Sequence, residues 1–139
     1  MNRKYEFTGE IKKWIGRTLH RIRAVRDFGD VKAGDLGGWI EKESNLSHDG
    51  DAWVYGNAWV SGRKHILWIS MIGSRDDTVT FMRAKDEKII VAVGCFVGTI
   101  EEFEKQVDVT HGDNEHGKAY RLAIELAKLR IDLDKEETK

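Results

Sequence analysis

Ile66-Leu67-Trp68-Ile69-Ser70-Met71-Ile72-Gly73-Ser74-Arg75-Asp76-Asp77-Thr78-Val79-Thr80-Phe81-Met82-Arg83 is the stretch whose reading decides the fold. Its first seven residues are almost wholly apolar, rich in β-branched and aromatic side chains, and too few for a core helix. They predict a buried strand. Gly73 to Asp77 has turn composition, and Thr78–Arg83 predicts the returning strand of a hairpin. Downstream, Ala84-Lys85-Asp86-Glu87 makes a second turn into the apolar run Lys88–Phe96, so three antiparallel strands are expected in succession.

Gly98 then precedes Thr99-Ile100-Glu101-Glu102, the signature of a capping box with Thr99 as N-cap and Glu102 reaching back. The helix that follows places Ile100, Phe103 and Val107 on one face and ends near Asp108. A last helix carries the apolar stripe Ala119, Leu122, Ala123, Leu126, Leu129 and Leu133. Residues 64–139 therefore predict an α+β unit, an antiparallel sheet with two C-terminal helices packed on it. The charged tail Asp132–Lys139 is expected to fray.

Residues 1–63 read differently. Lys4–Thr8 and Thr18–Val25 predict strands joined through a turn at Gly16, with Arg21 and Arg23 on one solvated strand face. Arg26–Ile40 is rich in Gly and Asp and predicts tight turns. From Gly38 to Gly62 the period becomes six, and Asp51-Ala52-Trp53-Val54-Tyr55-Gly56 matches Asn57-Ala58-Trp59-Val60-Ser61-Gly62 at Ala, Trp, Val and Gly. A hexad pattern predicts a left-handed β-helix, but only about one coil is present, so the segment must pack on the rest of the chain or on another subunit. Trp39, Trp53 and Trp59 serve either a core or interface, or a stacked ligand.

Composition bounds the function. The chain has 139 residues, 34% of them charged, with a formal net charge of -1, which argues against a general nucleic-acid binder while leaving room for a small anionic ligand. The single Cys95 has no second cysteine to pair with, consistent with a reducing cytosol. No apolar stretch approaches the roughly 20 residues of a membrane span, and the first residues lack a signal peptide's apolar segment. A cytoplasmic protein with no membrane partner is expected.

The chemistry is densest in His111-Gly112-Asp113-Asn114-Glu115-His116-Gly117-Lys118-Ala119-Tyr120-Arg121, where a polar loop enters the last helix. Helix-start N–H groups and the helix dipole favour an anion there. Equally, Asp113 or Asn114 caps the helix while His116 and Lys118 are solvated. Asn114, Lys118 and Arg121 share one side of the helix, and Arg75, Phe81 and Arg83 can reach it if the helices cover the opposite face of the sheet. An aromatic ring, guanidinium groups and a helix start together suit a base plus phosphates. The candidate ligand-binding set is thus Arg75, Phe81, Arg83, Asn114, His116, Lys118 and Arg121.

No established nucleotide motif is present, and the spacing of His111 and His116 does not match a zinc-protease pair. Asp76 and Asp77 read as turn residues, and no Ser or Cys has an evident activating base. Neither a catalytic set, a metal site nor a cofactor is expected.

Leu19 to Ala24, Gly34-Asp35-Leu36-Gly37-Gly38-Trp39-Ile40-Glu41 and the hexads together resemble the opening of phage and bacterial hexapeptide-repeat proteins. In that architecture an acyltransferase would use a His base, for which His48 is the candidate within the repeat. Ile72-Gly73-Ser74-Arg75 and His111–Arg121, in a layout of antiparallel sheet followed by two helices, resemble the phage-encoded Thoeris anti-defence sponge proteins. That resemblance implies a non-enzymatic homo-oligomer that sequesters a small nucleotide signal of bacterial immunity, a cyclic ADP-ribose derivative or cyclic nucleotide, through aromatic, Asn and Arg side chains. The alternatives are an assembly protein that oligomerises through its hexads and a hexapeptide acyltransferase-like enzyme.

Overall fold

A computed structural model describes residues 3–131 except 15, 57, 62, 85–87 and 95. Cys95, the tip of the 84–87 turn, Asn57 and Gly62 of the hexads, and the tail with Leu133 lie outside the described residues. Two four-stranded sheets and two helices make an α+β fold. The first sheet runs β1 (Tyr5–Trp14), β2 (Arg17–Ala24), β3 (Leu36–Ile40) and β4 (Trp59–Val60) in that order. It is mixed, because β3 pairs with β4 in parallel while the other pairs are antiparallel. The second sheet is an antiparallel meander of β5 (Ile66–Ile72), β6 (Asp77–Ala84), β7 (Lys88–Val93) and β8 (Phe96–Thr99).

The meander has one strand more than the three expected. Gly94, at φ +56°, turns the Lys88–Phe96 run back on itself, so β7 and β8 form a further hairpin with Val93 opposite Phe96. Only glycine adopts that backbone without strain, and its position inside an apolar run marks the break.

No left-handed β-helix is found among the described residues. The hexads contribute a 3-10 turn at Glu43–Asn45, an irregular segment and the two-residue β4. A coil-like feature is the parallel pairing of Trp39 with Trp59 and Ile40 with Val60. A solenoid rung is stable only when neighbouring rungs cover it, and here the covering is done by a sheet of other topology. Gly38 makes the contact possible: its N–H donates to Val54 O at 2.7 Å, and a Cβ there would lie 2.0 Å from Tyr55 O.

The second sheet separates two cores. One face, with Ile66, Met82 and Ala92, closes over Tyr5, Ile22, Phe28, Ile40, Trp53 and Val60. This core draws on both sides of residue 63. The other face, with Val79, Phe81 and Val91, is covered by α1 (Ile100–Thr110) and α2 (Glu115–Arg130). Thr99 and Glu102 form the expected capping box, Thr99 N–H donating to the Glu102 carboxylate at 2.8 Å and Glu102 N–H to Thr99 Oγ1 at 3.1 Å.

α2 departs from its expected orientation. Its buried residues are Gly117, Tyr120, Ala123, Ile124 and Ala127, whereas Leu122, Leu126 and Leu129 of the expected stripe are exposed. Small side chains let the helix axis approach the sheet closely, while the leucines point the other way. No helix among the described residues is long and apolar enough to cross a membrane.

Candidate functional site

The helices cover the face of β6 that carries Phe81, not the opposite one, and this disperses the expected ligand set. Phe81 is fully buried, edge-on to Phe103 at 6.4 Å between ring centroids, so it serves the core and offers no stacking surface. Arg83 is 1% exposed. Its guanidinium lies 3.9 Å from the centre of the Trp14 ring and donates to Trp59 O, which ties the two sheets together away from the helix start.

At the start of α2 the structure follows the capping alternative. Asn114 is the N-cap, its side-chain oxygen accepting from Gly117 N–H at 2.9 Å. Arg121 donates to Gly112 O at 2.7 Å and to Asp108 at 2.8 Å, clamping the interhelix loop. A Cβ on Gly117 would stand 2.2 Å from Gly112 O, so the close approach that this glycine allows is occupied by the chain's own carbonyl. His116 meets His111 at 5.6 Å between ring centroids, and Lys118 is exposed. The Gly117 N–H of the helix start is thereby satisfied from within the chain.

Arg75 borders two cavities. Two cavities of about 220 and 210 Å³ adjoin, sharing Arg75, Asp77, Val93 and Gly94. Arg75 Nε stands 3.6 Å from Asp77 Oδ2 on this divide, and a Cβ on Gly94 would lie 3.4 Å from the same carboxylate oxygen. The first cavity lies between the sheets, with Asp30, Asp51, Trp53, Tyr55 and Thr80 among its walls. The second lies between β8 and the helices, walled by Phe96, Phe103, Gln106, His111 and Tyr120. Each is smaller than the roughly 300–1,000 Å³ of a typical ligand site, and their shared wall residues place them side by side.

The groove's electrostatics are mixed. Burial keeps the Tyr120 hydroxyl protonated above the usual tyrosine range, reinforced by Asp77 and opposed by Arg75. Burial does the same for Tyr55, reinforced by Asp30 and Asp35. Both hydroxyls are therefore donors at neutral pH. Three carboxylates at the first cavity accept hydrogen bonds and repel phosphate, while the single guanidinium can pair one anionic group.

Asp51, Trp53 and Tyr55 alternate within one hexad, but Asp30, Arg75 and Gly94 lie in other segments, and no local motif joins them to it as one site. Gly94, within a strand-like run, was the available signal. Among the described residues no three His, Cys, Asp or Glu side chains converge to hold a metal. A serine with an adjacent imidazole does occur: Ser61 Oγ is 3.1 Å from His65 Nδ1. That nitrogen also accepts from Ser61 N–H at 3.0 Å, the pair is nearly buried, and neither residue lines the two cavities. His48 has both ring nitrogens engaged, with Lys4 N–H at 2.9 Å and the Glu43 carboxylate at 3.1 Å, and its ring stacks on Tyr5 at 4.2 Å.

No protein-family model matches the chain, and no solved structure matches it. Over 61 residues it is 39% identical to the uncharacterized acetyltransferase YdcK of Escherichia coli (strain K12), covering 39% of this chain and 19% of that protein. The chain thus spans about a fifth of that relative's length.

Proposed function

We propose that this protein binds and sequesters a small nucleotide signal without transforming it, as an anti-defence protein of the kind its C-terminal layout resembles. The groove around Arg75 is the binding site in this reading. The observation that carries it is the position of Arg75 on the divide between a carboxylate-walled and an aromatic-walled cavity. Carboxylates suit the hydroxyls of ribose, the aromatic wall suits a base, and one guanidinium suits a single phosphate or diphosphate. A ligand rich in ribose and poor in phosphate, such as a cyclic ADP-ribose derivative, fits this chemistry better than a polyanionic cyclic oligonucleotide.

Calorimetric titration with cyclic ADP-ribose and with cyclic di- and trinucleotides tests it, followed by heat release and chromatography of the ligand. Tight binding of the ribose-rich ligand, its intact recovery, and at least about a tenfold loss on Arg75→Ala are expected, one charge-assisted contact being worth about 1.5–3 kcal/mol. Absence of binding to every member of the panel, or recovery of an altered ligand, overturns the reading.

The similarity to an acetyltransferase supports a second reading, acyl transfer. His48, the base that this chemistry would recruit from the hexads, is held between Lys4, Glu43 and Tyr5, which weighs against it. Turnover of acetyl-CoA with an amine or hydroxyl acceptor would favour this second reading over sequestration.

A further inference from the structure

We infer that the outer face of α2 is the seam of a parallel, two-fold homodimer of this chain. Leu122, Leu126 and Leu129 are 72%, 41% and 83% exposed, an apolar row on a helix whose other side is already packed. At 3.6 residues per turn they lie opposite Tyr120, Ala123, Ile124 and Ala127, so α2 presents two apolar faces and its own domain uses one. The spacings of four and three are those of a coiled-coil seam, in which alternate positions interlock with the same row of a partner helix. Over its 16 residues α2 offers about 24 Å of helix for that contact.

The charges flanking the row indicate what covers it. Glu125 borders the leucines on one side and Arg130 on the other, five residues apart, and neither has a salt-bridge partner among the described residues. In a parallel pair of helices the residue on one flank meets the residue five positions later on the other flank of its neighbour. A second copy therefore pairs Glu125 with Arg130 twice under the two-fold axis, while each leucine meets its own counterpart. An antiparallel copy would not bring these two flanks together. A face carrying Glu115 and Glu125 beside Lys118 and Arg130 also makes a poor match to an anionic membrane surface, which calls for a basic cluster.

This inference goes beyond the ligand reading and does not depend on it. Sedimentation equilibrium of the full chain is expected to show a dimer at micromolar concentration. Leu126→Lys is expected to raise the dissociation constant at least about a hundredfold, with the helix content by circular dichroism retained, since Leu126 is 41% exposed and a lysine there reaches solvent. Glu125→Arg and Arg130→Glu should each weaken association, and the double exchange should restore it. A monomeric wild type at about 100 μM, a dimer indifferent to Leu126→Lys, or a double exchange that fails to restore association overturns the proposal.

Discussion

Tyr120 Oη occupies the space where a side chain on Gly73 would begin: a Cβ built there lies 2.1 Å from the hydroxyl oxygen. The contact joins the β5–β6 turn to α2 and sets the edge of the aromatic cavity, because Ser74 and Arg75 follow Gly73 directly and line that cavity with Tyr120. Gly73 also stands at φ +83°, where side-chain-bearing residues are strained.

Gly73→Ala should therefore cost about 1–3 kcal/mol of stability through strain and displacement of Tyr120. Gly56→Ala is the control: nothing lies within 4 Å of its Cβ position and its φ is not positive, so it should be nearly neutral. Thermal melting of both variants checks the contrast.

Phe81 and Asn114 should respond as structural residues. Phe81→Ala should cost about 3–5 kcal/mol, the range for truncating a buried ring. Asn114→Ala removes the cap of α2 and should cost about 1 kcal/mol, with Asn114→Asp largely retaining it. Chemical denaturation gives both values. For Asn114→Ala, ligand affinity measured at a temperature where the fold persists should stay within a fewfold of wild type, in contrast to Arg75→Ala.

Lys4 gives a pH dependence of definite sign. It is fully buried, its ammonium donates to Ala52 O at 2.7 Å, and burial lowers its pKa from 10.5 to about 8. Between those values the unfolded chain binds the proton that the folded chain has lost, so this residue's contribution to stability rises with pH from about 8 towards 10.5. Tyr5 acts in the opposite sense: burial pushes its hydroxyl well above the ordinary value of 10.0, so the folded chain keeps a proton that the unfolded chain releases, and stability falls as pH passes that value. Urea denaturation of wild type and Lys4→Met across pH 7–11 should show the rise in the wild type and its disappearance in the variant.

Much of the second sheet was legible because its signals are local. Ile66–Ile72 forms a strand as expected, though only its two ends are buried and Trp68, Ser70 and Met71 face outward, and the Thr99–Glu102 capping box is made by residues three apart. The last helix was legible as a helix but not in its orientation. Ala123 and Leu126 both satisfy the 3.6 period, and the choice between them rests on which side chains fit between helix and sheet. The site was the least legible part: Asp51, Trp53 and Tyr55 alternate within one hexad, but Asp30 and Arg75 reach them from segments far away in the chain.

By itself the sequence determined an α+β protein with a β-hairpin at 66–83 and two C-terminal helices, because alternation, turn composition and caps act between residues close in the chain. Only the tertiary structure decided that the hexads add the short strand β4 to a mixed sheet instead of forming a β-helix rung, that Phe81 and Arg83 are buried, and that Arg75 borders two adjoining cavities. These outcomes depend on which surfaces cover one another, and burial is settled between segments far apart in sequence. The same cause left the leucines of α2 outside: the face with Gly117, Tyr120, Ala123, Ile124 and Ala127 is the one that the fold buries.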